Sequence, residues 1–140
     1  MSDRLWLMKS EPEAFGWDDL VRDGDTLWDG VRNHRAANNL RAMQVGDRAF
    51  FYHSVTGKAI VGIMEVSEAG LTDSDDPKWA SVRVIPVAPL ARPVTLAQVK
   101  AEPALAEMEL VRLSRLSVAE LKQEEWDRII AMSEQAGEGG

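Results

Sequence analysis

The sequence predicts an α+β domain built on a strongly bent, barrel-like mixed β-sheet flanked by short helices. Two observations carry that expectation. Apolar runs rich in aromatic and β-branched residues recur along the chain, and short segments with helix-capping residues and helical periodicity are interleaved with them. Interleaving this tight does not suit a doubly wound parallel sheet. At 140 residues and 45% hydrophobic content the chain suits one domain with its own core, expected over residues 1–133, with 134–140 as a flexible tail.

Residues 4–8 read as the first strand. Ser10, followed by Glu11, Pro12 and Glu13, reads as an N-cap, an early helical proline and acids near the positive end of a helix dipole; that helix is expected to end near Gly24. Asn33 can cap a second helix, in which Ala36, Leu40 and Met43 fall at i, i+4 and i+7 before Val45, Gly46 and Asp47 turn the chain. Asn38 and Asn39 have modest helix propensity, so in mid-helix they need a compensating contact. Residues 48–54 and 58–66 read as antiparallel neighbours joined by Val55, Thr56 and Gly57. The acidic stretch 68–76 reads as a loop, residues 79–87 resume the alternation with Ala80, Val82 and Val84 on one side, and Pro86, Pro89 and Pro93 are expected to prevent a long strand beyond. Thr95 can cap a short helix through Lys100, and Pro103 can start another. Residues 113–121 read as extended, and 123–132 as an amphipathic helix with Trp126, Ile129 and Ile130 inward.

Composition narrows the function classes. With no cysteine there are no disulfides, thiolate nucleophiles or cysteine metal sites, which suits a reducing compartment. The N-terminus fits neither a secretory signal nor a membrane span, so a cytoplasmic protein with no membrane contact is the expectation. A net charge of −7 argues against indiscriminate nucleic-acid binding, which draws its affinity from basic side chains. The charge is uneven, however: Arg32, Arg35, Arg41, Arg48 and Lys58 face only Asp29 and Asp47 between residues 29 and 58, a local balance of +3. A hydrolase would have to use Ser54 or Ser10 with His53 and Glu11, but no nucleophile elbow is present and His53 and Ser54 are adjacent on a strand. His34 and His53 lie far apart in sequence, which gives no metal motif. No catalytic residue, metal site or cofactor is expected.

Three blocks join aromatic surface to hydrogen-bonding groups: Trp6-Leu7-Met8-Lys9-Ser10-Glu11-Pro12, Trp28-Asp29-Gly30-Val31-Arg32-Asn33 and Phe51-Tyr52-His53-Ser54. A flat, polar-edged ligand such as a nucleobase needs that combination. With Asn38-Asn39-Leu40, Met43, Gly46-Asp47, Gly62-Ile63, Asp76-Pro77 and Trp79, Arg92-Pro93-Val94-Thr95-Leu96 and Arg115-Leu116-Ser117-Val118, they make the chain resemble the EVE domain family over roughly residues 5–132. That family has a PUA-like fold and is related to the YTH readers of modified RNA. The resemblance implies a non-enzymatic reader of nucleic acid carrying a modified base. Modified cytosine in DNA (5-methylcytosine, 5-hydroxymethylcytosine) is the leading ligand, modified RNA a further one, and a separate effector protein a partner. The chain departs from the family in the segment 67–78, which is shorter than in many members and forms part of the pocket rim there.

Individual residues carry two readings each. Trp28, directly before a polar turn, is the first choice for a stacking platform, and its loss is expected to weaken binding with the fold retained. Trp6 reads better as core, Trp126 as core, and Trp79 as either pocket rim or packing. Lys9, Ser10 and Glu11 lie where a strand gives way to a helix and can converge on a ligand oxygen, Ser10 otherwise serving as a cap. Arg32 and Arg35 are the expected phosphate contacts. Asn33 either caps its helix or reads a base edge. Tyr52 and Ser54 share one face of a strand and His53 points oppositely. Arg115 approaches either the pocket or a structural carboxylate. The rival reading of the same cleft is a small-molecule or protein-interaction domain that binds no nucleic acid.

Overall fold

The computed structural model describes residues 4–135. Six strands form one mixed sheet in the order β2-β5-β4-β3-β1-β6. They are β1 (Leu5–Ser10), β2 (Thr26–Trp28), β3 (Arg48–His53), β4 (Ala59–Thr72), β5 (Ala80–Thr95) and β6 (Val118–Leu121). β1 runs parallel to β3, and every other pairing is antiparallel. Register shifts within β3·β4 and at four places in β4·β5 bend the long strands strongly, yet β2 and β6 remain free edges and the sheet does not close. The α+β class and the bent mixed sheet are therefore as expected.

Side-chain alternation sends the apolar residues to two cores. Trp6 and Met8 of β1 join Phe51 and Met64 on one face beneath α1 (Trp17–Asp23) and α2 (His34–Ala42). Leu7, Phe50, Tyr52 and Ile60 join Ile129 on the other, beneath α3 (Leu96–Ala101), α4 (Glu109–Arg112) and α5 (Gln123–Glu134). Trp6 is core as expected, and its indole N–H donates to Asp47 Oδ2 at 2.9 Å, which satisfies a polar group that burial would otherwise penalise. Trp126 stacks on Phe50 with centroids 3.8 Å apart.

Several boundaries differ from the sequence reading. Ser10 is no N-cap: β1 continues through Lys9 and Ser10, which pair with Tyr52 and His53, and the Ser10 hydroxyl donates to Phe15 O at 2.6 Å. Residues 11–15 make a turn on the Glu11 carbonyl, and α1 starts only at Trp17, where Asp19 accepts from the Gly16 N–H. It ends as expected, at Gly24 in the left-handed region with φ 84°. β4 runs through the acidic stretch to Thr72, since bulges and the positive φ of Gly70 keep it paired with β5. β5 runs through all three prolines, because β2 covers it only at Val82–Val84 and the remaining edge needs no N–H donors. Only Val118–Leu121 of the segment 113–121 is strand, the length that β1 can pair. Of the tail expected over 134–140, Glu134 is helical and Gln135 caps α5, while 136–140 lie outside the described residues.

The second helix forms as read. Asn33 Oδ1 accepts from Ala36 N at 2.9 Å, and Ala36, Leu40 and Met43 are buried. Asn39 finds its compensating contact by donating from Nδ2 to Val118 O at 2.7 Å, pinning α2 to β6.

Candidate functional site

The parallel pairing of β1 with β3 brings their C-terminal ends together, with Ser10 opposite His53. The chain entering β6 closes against the same end: Lys9 N donates to Ser117 O and Ser54 N to Ser10 O, both at 2.9 Å. Three clefts open there and share residues. The first, of about 280 Å³, lies among Lys9, Ser10, Phe15 and Thr26–Asp29. The second, about 320 Å³, lies on the other side of Lys9 against Tyr52, Ser54, Lys58 and Lys100. The third, about 340 Å³, holds Asn33, Arg35, Arg115 and Ser114, and Ser114 also borders the second.

Trp28 forms the apolar wall of the first cleft, but it is only 8% exposed and meets Phe51 edge-on at 5.5 Å. It is a core residue with one part of its surface in the cleft, so its truncation is expected to cost stability as well as the wall. The polar groups are sparse and distinct. Lys9 Nζ donates to Ser114 O at 2.9 Å and lies 5.8 Å from the Tyr52 ring centroid. Burial, and then repulsion from Lys58, pushes its pKa down. Ser10 Oγ, having given its proton to Phe15 O, keeps its lone pairs free. Asp29 accepts the Ser74 hydroxyl at 2.5 Å through Oδ2. Phe15 lines the cleft with no signal in the sequence to mark it, since it falls in a stretch that reads as helix, and Asp29 lines it from within the block that begins at Trp28, where no signal singles it out.

The arginines expected to hold phosphate are occupied. Arg32 donates to Asp73 through both terminal nitrogens, at 2.9 and 3.3 Å, and its guanidinium lies 5.5 Å from the Trp79 ring centroid. Arg35 donates to Glu109 at 2.8 Å. The Asp73 carboxylate, with a side chain only 1% exposed, also accepts from the backbone N–H groups of Gly30, Asp75 and Asp76. The Arg32 guanidinium first, and the Gly30 amide next, hold its pKa well below the usual carboxylate range. Asp73 thus fastens the 28–32 turn to the 67–78 segment. Nothing in the sequence distinguishes it from its acidic neighbours.

The other candidates separate. Tyr52 and Ser54 line the second cleft, and burial raises the Tyr52 pKa. His53 points away, accepting the Trp17 N–H on Nε2 at 3.1 Å, so the strand parity holds and His53 positions α1. Asn33 caps its helix while bordering the third cleft with Arg115, which pairs with no carboxylate among the described residues. Glu11 is exposed and contributes its carbonyl to the turn. Trp79 stacks on His34 at 5.0 Å and lines a separate groove with Arg41 and Lys78, away from Lys9. Among the described residues no group of three acids or histidines is placed to hold a metal, and no helix is long and apolar enough to cross a membrane.

Comparison with known proteins places this geometry. The EVE domain model matches residues 4–132. Human thymocyte nuclear protein 1 is 36% identical, covering 92% of this chain and 73% of its own. A solved protein of Rhodopseudomonas palustris is 45% identical with a TM-score of 0.90, covering 98% of this chain and 97% of its own. A crystal structure of human THYN1 in complex with DNA containing 5-methylcytosine is 34% identical with a TM-score of 0.83, covering 94% of this chain and 98% of its own.

Proposed function

Because this chain belongs to the EVE domain family, we propose that its first cleft receives a modified cytosine of DNA, taken out of the base stack. The observation that carries the reading is the solved complex of human THYN1 with 5-methylcytosine DNA, a protein similar to this one over 94% of the chain. The function is binding by differential affinity, with no bond made or broken.

The chemistry of the cleft supports it. Cytosine presents an amino donor and two acceptors on its pairing edge. Asp29 offers a carboxylate oxygen to the amino group, while Trp28 provides the apolar wall. Phe15 and Leu27 are the apolar side chains that the cleft offers to the C5 substituent. Burying one methyl group is worth about 0.8 kcal/mol, or about fourfold in affinity, which is the preference such a wall alone supplies. For a hydroxymethyl group the free lone pairs of Ser10 Oγ are an acceptor.

The test is a titration at fixed salt with matched DNA and RNA oligonucleotides bearing cytosine, 5-methylcytosine or 5-hydroxymethylcytosine. Methyl-dependent binding is expected, and Asp29→Ala should weaken it by about 1–3 kcal/mol, as removing a hydrogen bond to a base edge does. If no oligonucleotide binds at any salt concentration, the reading fails and the cleft belongs to a small molecule or a protein.

A further inference from the structure

The second cleft is lined by three lysines from three separate elements and by no carboxylate. Lys9 ends β1, Lys58 immediately precedes β4, and Lys100 lies in the last turn of α3, whose first N–H is tied to the Lys58 carbonyl at 3.0 Å. In a chain of net charge −7 such a convergence needs a reason. Among the described residues Lys58 and Lys100 form no salt bridge, and the Lys9 ammonium has only the Ser114 carbonyl and the Tyr52 ring. The Tyr52 and Ser54 hydroxyls also border the cleft and donate to no described residue. The site therefore presents ammonium and hydroxyl donors around an apolar floor that includes Leu96 and Leu110. Like charges set together repel one another, and an anion with several acceptor oxygens relieves the repulsion while satisfying the donors. The repulsion is already felt, since Lys58 helps to depress Lys9.

We propose that the cleft among Lys9, Lys58 and Lys100 is a phosphate site and, resting on the base reading above, that it takes the phosphate attached to the nucleotide whose base occupies the first cleft. Lys9 borders both clefts, so one residue couples the two parts of one nucleotide. The phosphate contacts of this protein are then lysines at the strand ends, in place of Arg32 and Arg35. Lysine serves here as a point charge with rotatable donors, whereas the arginines are fixed by their carboxylates.

The experiment uses K58A/K100A, which alters two exposed side chains outside the first cleft and leaves Lys9 in place. Inorganic phosphate titrated against chloride at equal ionic strength should shift the Lys58 and Lys100 amide resonances of the wild type and leave the remaining amides around the cleft unmoved in the variant. 5-Methyldeoxycytidine 5′-monophosphate should bind the wild type more tightly than the nucleoside, and that preference should shrink in the variant to what Lys9 alone supplies. With single-stranded oligonucleotide, the slope of log affinity against log salt should fall by about 0.7 for each phosphate deprived of its lysine, with the methylated-to-unmethylated ratio unchanged. Phosphate shifts that persist in the variant, or an unchanged salt slope, overturn the proposal. Nucleoside and nucleotide both failing to bind, while inorganic phosphate still acts through Lys58 and Lys100, would sink the base reading and leave the phosphate site standing.

Discussion

The clefts have one side on which Arg32 and Arg35 are bound to carboxylates, with only Arg115 beside them unpaired among the described residues, and another on which three lysines have no such partner. On the first, Arg32 is held by Asp73 and Arg35 by Glu109, and the turn from Trp28 to Arg32 is fixed by packing and by an amide on the same carboxylate. On the second, Lys9, Lys58 and Lys100 converge with no acid among them. The difference teaches that the number of positive charges near a site says little about binding. What matters is which charges the fold has left without a partner, and on the proposal above those are the lysines that meet the ligand's charge.

The largest effect belongs to the arginine side. Trp28 is almost wholly buried and packs on Phe51, so Trp28→Ala leaves a cavity as well as a missing wall. A loss of about 3–5 kcal/mol of unfolding free energy is expected by urea titration, as for other buried aromatics cut to alanine. Trp28→Phe keeps most of the packing and is the better probe of the wall. A well-folded Trp28→Ala protein of normal stability would show that this side is not built by packing.

Asp73→Ala comes next. It releases Arg32 and strips an acceptor from the Gly30, Asp75 and Asp76 amides at once. The melting temperature and the oligonucleotide affinity should both fall, and both by more than in Arg32→Ala, which removes one of those partners. Equal effects in the two variants would mean that the ion pair alone, and not the carboxylate's grip on the turn, shapes the rim.

What can be read from the chain follows the same division. Local signals suffice where one residue decides a local structure: Asn33 as the cap of α2, Gly24 as the end of α1, Thr95 as the cap of α3, and the opposed faces of Tyr52 and His53. The motif order makes the family and the bent mixed sheet legible as well. Long-range pairing is not legible in this way. β5 runs through Pro86, Pro89 and Pro93 because its neighbour β2 is short, and Ser10 stays in β1 because β3 pairs with it, facts that no window around those residues contains. The same blindness affects charge: Arg32 and Asp73, like Arg35 and Glu109, are far apart in sequence, so the arginines look free and the distant Lys100 carries no signal.

A smaller effect separates a positioning residue from a ligand contact. His53 accepts the Trp17 N–H through Nε2 and must be neutral to do so. Burial lowers its pKa from the ordinary 6.5, against the opposite pull of Asp18 and Glu13. A group depressed in the folded state contributes stability that is fully present above the ordinary value and is lost as pH falls through the lower folded one. Unfolding midpoints of the wild type should therefore decline as pH falls below the ordinary 6.5, and His53→Gln should flatten that part of the profile. Oligonucleotide affinity at pH 7.5 should stay unchanged, since the imidazole faces α1. A drop in affinity at that pH, with stability intact, would put His53 back in the ligand site.

The smallest expected change is the most direct trial of the contrast between the two sides. Arg35 and Glu109 form a pair whose arginine is exposed, with the Arg35 side chain 61% and the Glu109 side chain 23% accessible. Screening and side-chain entropy hold such pairs to roughly 0.2–1 kcal/mol, so Arg35→Ala should barely alter stability. If its charge is already neutralised by Glu109, the salt dependence of oligonucleotide binding should be the wild-type one, whereas Lys58→Ala should lower the slope. If instead Arg35→Ala lowers the slope as much as Lys58→Ala does, the carboxylate yields to phosphate on binding. The division of labour would then be a property of the free protein alone, with Arg35 joining the lysines once the strand is in place.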